Sequence, residues 1–263
     1  MGRNTKLLIK AFEVNQNIIK ITLMKSRRNF IKLSGLSALG LKDTAIGKNS
    51  SKKTFIHGFN FKFKRGVSDD KIAEIMQELA TLKEKIPVLK DFLVGKNIAR
   101  RTDGYQYGEI AVFEKKEDLM VYERHPEHEK LVKKILPNLE IGNGMDFFPI
   151  GNPKTKLGSL NYKNHFIHAF SFKFKNEVSD DEMAELMGEL ANTKEKIPVI
   201  KELLIGKNEA HWHRGFQYGE IAIFEKKEDF EVFDKHPDHQ RLVKKIIPKL
   251  DSGSAMDFIP ISI

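Results

Sequence analysis

"FIHGFNFKFK" (55–64) and "FIHAFSFKFK" (166–175) are one strand written twice in a single chain. In the first copy Phe55, His57, Phe59, Phe61 and Phe63 fall on one side of a period-two alternation, with Asn60, Lys62 and Lys64 on the other. The match runs far beyond the strand. Residues 54–150 align with 165–261 at a constant offset of 111 and without a gap, and about 60 of the 97 positions are identical. "KEKIPV" begins at 83 and 194, "QYGEIA" at 106 and 217, and "FEKKED" at 113 and 224. Two copies of this length are two domain-sized units rather than a solenoid. The segment between them, "GNPKTKLGSLNYKN" (151–164), is rich in Gly, Asn and Lys and reads as a linker.

Each copy has a legible order of elements. After the first strand, Ser68-Asp69-Asp70 caps a helix with apolar Ile72, Ile75, Met76 and Leu79 that ends before Pro87. "VLKDFLVGKN" (88–97) and "YQYGEIAVFE" (105–114) read as two further strands. "KKEDLMVYERHPEHEKLVKKILP" (115–137) gives two short helices, the second with Pro126 in its first turn, and "MDFFPI" (145–150) a last strand. The order β-α-β-β-α-β is a ferredoxin-like split unit, so the fold class is α+β. Helices cover one face of such a sheet, and the other face needs cover that the second copy can supply. The expectation is an intrachain pseudo-dimer of the dimeric α/β barrel type, with a higher assembly left open. Residues 54–150 and 165–263 form the two repeats, and 1–53 stand outside the fold.

Composition narrows the partners. The chain has 263 residues, 40% hydrophobic and 31% charged, no cysteine, and a net charge of +9. No disulfide, thiolate metal site or Cys nucleophile can therefore exist. The positive charge is local: residues 1–53 hold 12 Lys/Arg against Glu13 and Asp43, while the other 210 residues hold 33 Lys/Arg against 34 Asp/Glu. A near-neutral folded part argues against a nucleic-acid partner. No apolar run approaches the roughly 18 residues of a membrane span. Within the tail, Ser26-Arg27-Arg28-Asn29-Phe30-Ile31-Lys32 resembles the twin-arginine export signal, which implies an exported, periplasmic protein, with Met24 as a candidate start. The alternative is an untargeted basic tail on a cytoplasmic protein.

Candidate chemistry sits in "YERHPEHEKLV" (122–132) and its counterpart "FDKHPDHQRLV" (233–243). His125-Pro126 can start a helix. His128, in the first turn, lies where the positive end of the helix disfavours imidazolium, which suits a neutral proton acceptor. His57 shares its strand face with four Phe residues, so it is either a core residue or the wall of an apolar cavity. A metal reading would join His57, His125 and His128, with Glu109 a further donor, but Pro126 directs His125 outside the helix, and no metal site is expected. His211-Trp212-His213 reads as an exposed, adaptable rim. The strand "HGFNFKFK", the "GKN" after strand two, "GYQYGEIAVFE", "YERHPEH" and the terminal "DF" together resemble the stress-responsive A/B barrel (Dabb) family.

That resemblance implies two sheets packed face to face and leaves function open, because the fold hosts several chemistries. One member is a plant polyketide cyclase in which a Tyr and a His do acid–base work. Carried over, its Tyr falls on Tyr122, where the second copy has Phe233, and its His falls on His128 and His239. The strand-one pocket His falls on His57 and His168, and a strand-three pocket His is replaced by Tyr107 and Tyr218. With His125 and His236, these residues make the expected ligand-binding set. The expected function is binding of a small apolar or aromatic molecule in a pocket lined by His and Phe, without a cofactor. The alternatives are a cyclase-like lyase or isomerase using Tyr122 and His128, and a structural module whose interior is filled core.

Overall fold

A computed structural model describes residues 53–150 and 164–261. The tail with its twin-arginine-like motif, and all of the linker but Asn164, lie outside the described residues. The first repeat runs β1 (Phe55–Phe63), α1 (Asp69–Ala80), α2 (Leu82–Lys85), β2 (Asp91–Lys96), β3 (Tyr107–Phe113), α3 (Glu117–Glu123), α4 (Pro126–Ile135) and β4 (Leu139–Phe147). The second runs β5 (Phe166–Phe174), α5 (Asp180–Ala191), β6 (Ile200–Lys207), β7 (Tyr218–Phe224), α6 (Lys227–Lys235), α7 (Pro237–Ile246) and β8 (Leu250–Phe258). Each makes a four-stranded antiparallel sheet, β2-β3-β1-β4 and β6-β7-β5-β8, which is the ferredoxin-like order.

Local chemistry sets the element ends. The Ser68 hydroxyl accepts from the Lys71 amide at 3.3 Å, with Asp69 and Asp70 beside the positive end of α1. Pro126 occupies the first turn of α4, where its missing N–H costs nothing. The second strand begins at Asp91 rather than 88, and the last strand differs more from the sequence reading. The last strand begins at Leu139, not Met145, and Gly142 and Gly144 lie inside it. A Cβ at Gly142 would enter the Phe59 ring, and one at Gly144 would press on Ala210 and Trp212 of the other repeat. These are close approaches that only glycine permits.

The two sheets pack on each other through the faces that carry no helices. Ile56, Ile110, Val112 and Phe147 meet Ile167, Ile221, Ile223 and Phe258 in one core. At roughly 1.5–3 kcal/mol for each large apolar side chain buried, this layer holds the repeats together. The polar face of β1 is therefore not a solvent face: Asn60 is buried, as is Ser171 at the equivalent position of the other repeat. Gly95 and Gly206 let the sheets close, since a Cβ at either would overlap Phe258 or Phe147. The edges are covered as well. Ile261 N donates to Val94 O of β2 at 2.9 Å, and Ile150 N to Ile205 O of β6 at 2.7 Å, so each repeat's tail blocks the other's open edge.

Asn97 and Asn208, the last residues of the two "GKN" triplets, stitch the halves. Asn208 Oδ1 accepts from Asp146 N at 2.9 Å and Ala210 N at 3.0 Å, while its Nδ2 donates to Gly144 O at 3.1 Å and Phe216 O at 3.2 Å. Asn97 repeats the pattern with Asp257 N, Ala99 N, Ala255 O and Tyr105 O. Each amide is fully used, and half of its bonds reach the other repeat.

Candidate active site

The helix-side face of β1 places His57 opposite Asp146 on β4, and Phe59 opposite Glu109 on β3. His57 Nδ1 lies 2.6 Å from Asp146 Oδ1, and the side chains are only 16% and 15% exposed. Burial alone would neutralise the imidazole. The Asp146 carboxylate overrides it, helped by Glu109 and Glu123, and raises His57 from 6.5 to about 9. His57 is then an imidazolium at neutral pH, with Nδ1–H donated to Asp146 and Nε2–H left to present. Glu109, buried beside it, is pushed up by burial to about 7 against the pull of His57 and the Tyr122 hydroxyl. It holds or releases a proton near neutrality.

From the helix side, α3 delivers Tyr122 and α4 delivers His128. Tyr122 is fully buried, and its hydroxyl makes a long hydrogen bond of 3.4 Å to Glu109 Oε1. Burial first, then Glu109, keeps that hydroxyl protonated. The His128 ring sits 4.3 Å from the Tyr122 ring, centroid to centroid. Its Nδ1 is 3.0 Å from Glu123 O. A carbonyl can only accept, so Nδ1 carries the proton and Nε2 the lone pair. Burial lowers His128 to about 4, in spite of the Glu123 carbonyl and in line with the nearby positive charge of His57. An imidazolium, a near-neutral carboxyl, a phenol and a neutral imidazole thus share one apolar wall.

Other expected residues lie elsewhere. His125 is the N-cap of α4, its Nδ1 accepting from Glu127 N at 3.3 Å, and His236 does the same for α7. Tyr107 packs against Phe61 and Phe63, four residue pairs along the sheet from His57, and Tyr218 packs near Phe174. The loop at 209–214 does more than form a rim. His211 and His213 are exposed, but Trp212 is half-buried, with its ring 6.4 Å from that of Phe59 across the repeat boundary. Its carbonyl accepts from Gly144 N at 3.1 Å.

The model of the Stress responsive A/B Barrel Domain matches residues 56–148 and again 166–260. The chain belongs to the stress responsive A/B barrel family. Among curated proteins, a stress-response A/B barrel domain-containing protein of Arabidopsis thaliana is 28% identical over 153 residues, which are 56% of this chain and 56% of that protein. The chain therefore spans about half the length of this curated relative. Two solved structures with provisional monooxygenase names also match. The one from Fusobacterium nucleatum has a TM-score of 0.60 at 10% identity, over 81% of this chain and 94% of its own. The one from Lactobacillus acidophilus has 0.55 at 13%, over 79% and 93%. At such identities the likeness is one of fold alone.

The second A/B barrel repeat rebuilds half of this arrangement. His168 Nδ1 lies 2.6 Å from Asp257 Oδ1 and, although burial opposes it, the carboxylate raises its pKa. His239 packs on Phe233 at 4.0 Å between centroids, and burial keeps it neutral. Two substitutions set the repeat apart: Phe233 replaces Tyr122, and Phe230 replaces Leu119 and stacks on His168 at 4.7 Å. The acids Asp146 and Asp257 were absent from the sequence-based set, and Glu109 entered it only as a possible metal donor. The signal that could have found them was the pairing of the terminal "DF" with β1, which puts each Asp opposite its His.

Proposed function

We propose that the first repeat binds a small, largely apolar or aromatic molecule on the helix side of its sheet, with a carbonyl or similar acceptor oxygen facing His57. The supporting observation is the buried His57–Asp146 ion pair beside Glu109. Charged groups in an apolar core weaken rather than build a fold unless paired, and such clusters with shifted pKa values concentrate at functional sites. Phe59, Tyr122 and the other repeat's Trp212 supply apolar surface for the body of the molecule. Calorimetry of the full chain with acetophenone tests this. Binding should weaken at least tenfold in His57→Ala and remain in His125→Ala, whose ring only caps a helix. Equal affinity in wild type and His57→Ala would refute the assignment.

A second reading, acid–base catalysis of the lyase or isomerase kind, is favoured by the pairing of neutral His128 with Tyr122. His128 Nε2 would take a proton from the carbon beside a carbonyl while His57 donates to the oxygen. Positioned acid–base groups typically contribute 10²–10⁴-fold. Deuterium exchange into the methyl group of acetophenone, followed by NMR, should fall about 100-fold in His128→Ala if this reading is right. For the tail, we propose that residues 24–47 direct export through the twin-arginine route.

A further inference from the structure

Replacing Tyr122 by Phe233 does not simply remove a hydroxyl from the second repeat. It also leaves a carboxyl behind. In the first repeat Glu109 Oε1 receives the Tyr122 hydroxyl. In the second, the equivalent Glu220 is 4% exposed, and its Oε1 has no hydrogen-bond partner. Glu220 sits on β7 opposite Phe170, on the same face as His168, and its charge acts on that imidazole. A buried acceptor without a donor carries a desolvation penalty that a hydroxyl can relieve.

We propose that the second repeat's site takes a neutral hydroxyl-bearing aromatic molecule, of the phenol class, whose O–H donates to Glu220 Oε1. The ligand thereby supplies the group that Tyr122 supplies from within in the first repeat. Glu220 Oε1 accepts whether the carboxyl is ionised or holds its proton on Oε2, so recognition does not depend on its charge. Asp257 favours the protonated form of His168, which gives Nδ1–H to that carboxylate and keeps Nε2–H for the lone pairs of the same hydroxyl. Phe230, Phe233 and Phe170 provide ring surface, and the 14% exposure of His168 together with the 13% of His239 marks the approach. The two repeats would then differ in ligand: an acceptor oxygen for the first, a donor hydroxyl for the second.

The inference rests on the reading that these helix-side sites bind small molecules, and the test separates the two. Phenol and toluene are nearly the same shape and differ in the hydroxyl. Titrated into the full chain with the imidazole NMR signals of His168 and His239 as readout, phenol should bind about tenfold more tightly than toluene, the worth of one hydrogen bond to a buried carboxyl. Glu220→Leu should erase that preference. Phe233→Tyr, which supplies an internal hydroxyl and is closest to the first repeat's own chemistry, should erase it too, while acetophenone binding read at His57 stays unchanged. Phenol binding no tighter than toluene, or a preference that survives Phe233→Tyr, would overturn the assignment even if acetophenone binds the first repeat.

Discussion

His57 and His125 carry the same side chain and have opposite duties. His57 is a buried cation because Asp146 stands opposite it in the sheet, and His125 is a helix cap because Pro126 follows it. The sign of the pH effect follows from this. The folded value of His57, about 9, lies above the ordinary 6.5, so its stabilisation is complete below pH 6.5 and disappears as the pH rises through 9. That gap is worth on the order of 3 kcal/mol. Because burial alone would push His57 below 6.5, Asp146→Asn should destabilise the protein by at least that much at pH 6 in urea unfolding, and by much less at pH 10. A loss independent of pH would mean that packing, not charge, explains the pair. Tyr122→Phe, which converts the first repeat to the chemistry of the second, should cost roughly 1–2 kcal/mol by leaving Glu109 without its donor. The histidines were legible in the sequence because they recur at matched positions. Their acids were not, because a carboxylate 89 residues away becomes a partner only once the strand register is known.

The strands and helices were largely readable from periodicity and caps, and the misjudged places are those where one repeat touches the other. The last strand was read only from Met145 because nothing local explains glycines such as Gly142 and Gly144 in a strand; the explanation is Phe59 and the 210–212 loop. The "GKN" triplets were visible as a motif, but the cross-repeat bonds of Asn97 and Asn208 need both sheets in place. Asn208 fixes Asp146, which in turn fixes His57. Asn208→Ala should thus lower stability by about 2–3 kcal/mol and move the His57 NMR titration more than that of His168, with Asn97→Ala giving the reverse. Equal effects on both histidines would show that the asparagines act only as general interface bonds. Gly206→Ala should also destabilise, by about 1–3 kcal/mol, because the new methyl group would meet the Phe147 ring and the immovable Phe148 carbonyl.

At the scale of the molecule, duplication has put both sheets of the barrel into one polypeptide whose halves are free to diverge. The overall architecture was legible because the repeat is ungapped and each sheet has a bare face. The difference between the sites was legible as Tyr122 against Phe233 and as the diverged loops at 98–103 and 209–214, but the orphaned Glu220 and the placement of Trp212 against Phe59 depend on packing. The tail is expected to be an address rather than part of the barrel: a reporter fused to residues 24–47 should be exported, and Arg27→Lys with Arg28→Lys should keep it in the cytoplasm. The most direct test of the functional account is an NMR titration of the full chain, labelled at histidine, with acetophenone. The His57 and His128 imidazole signals should shift together and saturate, while the capping rings of His125 and His236 stay still. Unmoved His57 and His128 signals at saturating acetophenone would make the His57–Asp146 pair an internal strut, contradicting the account.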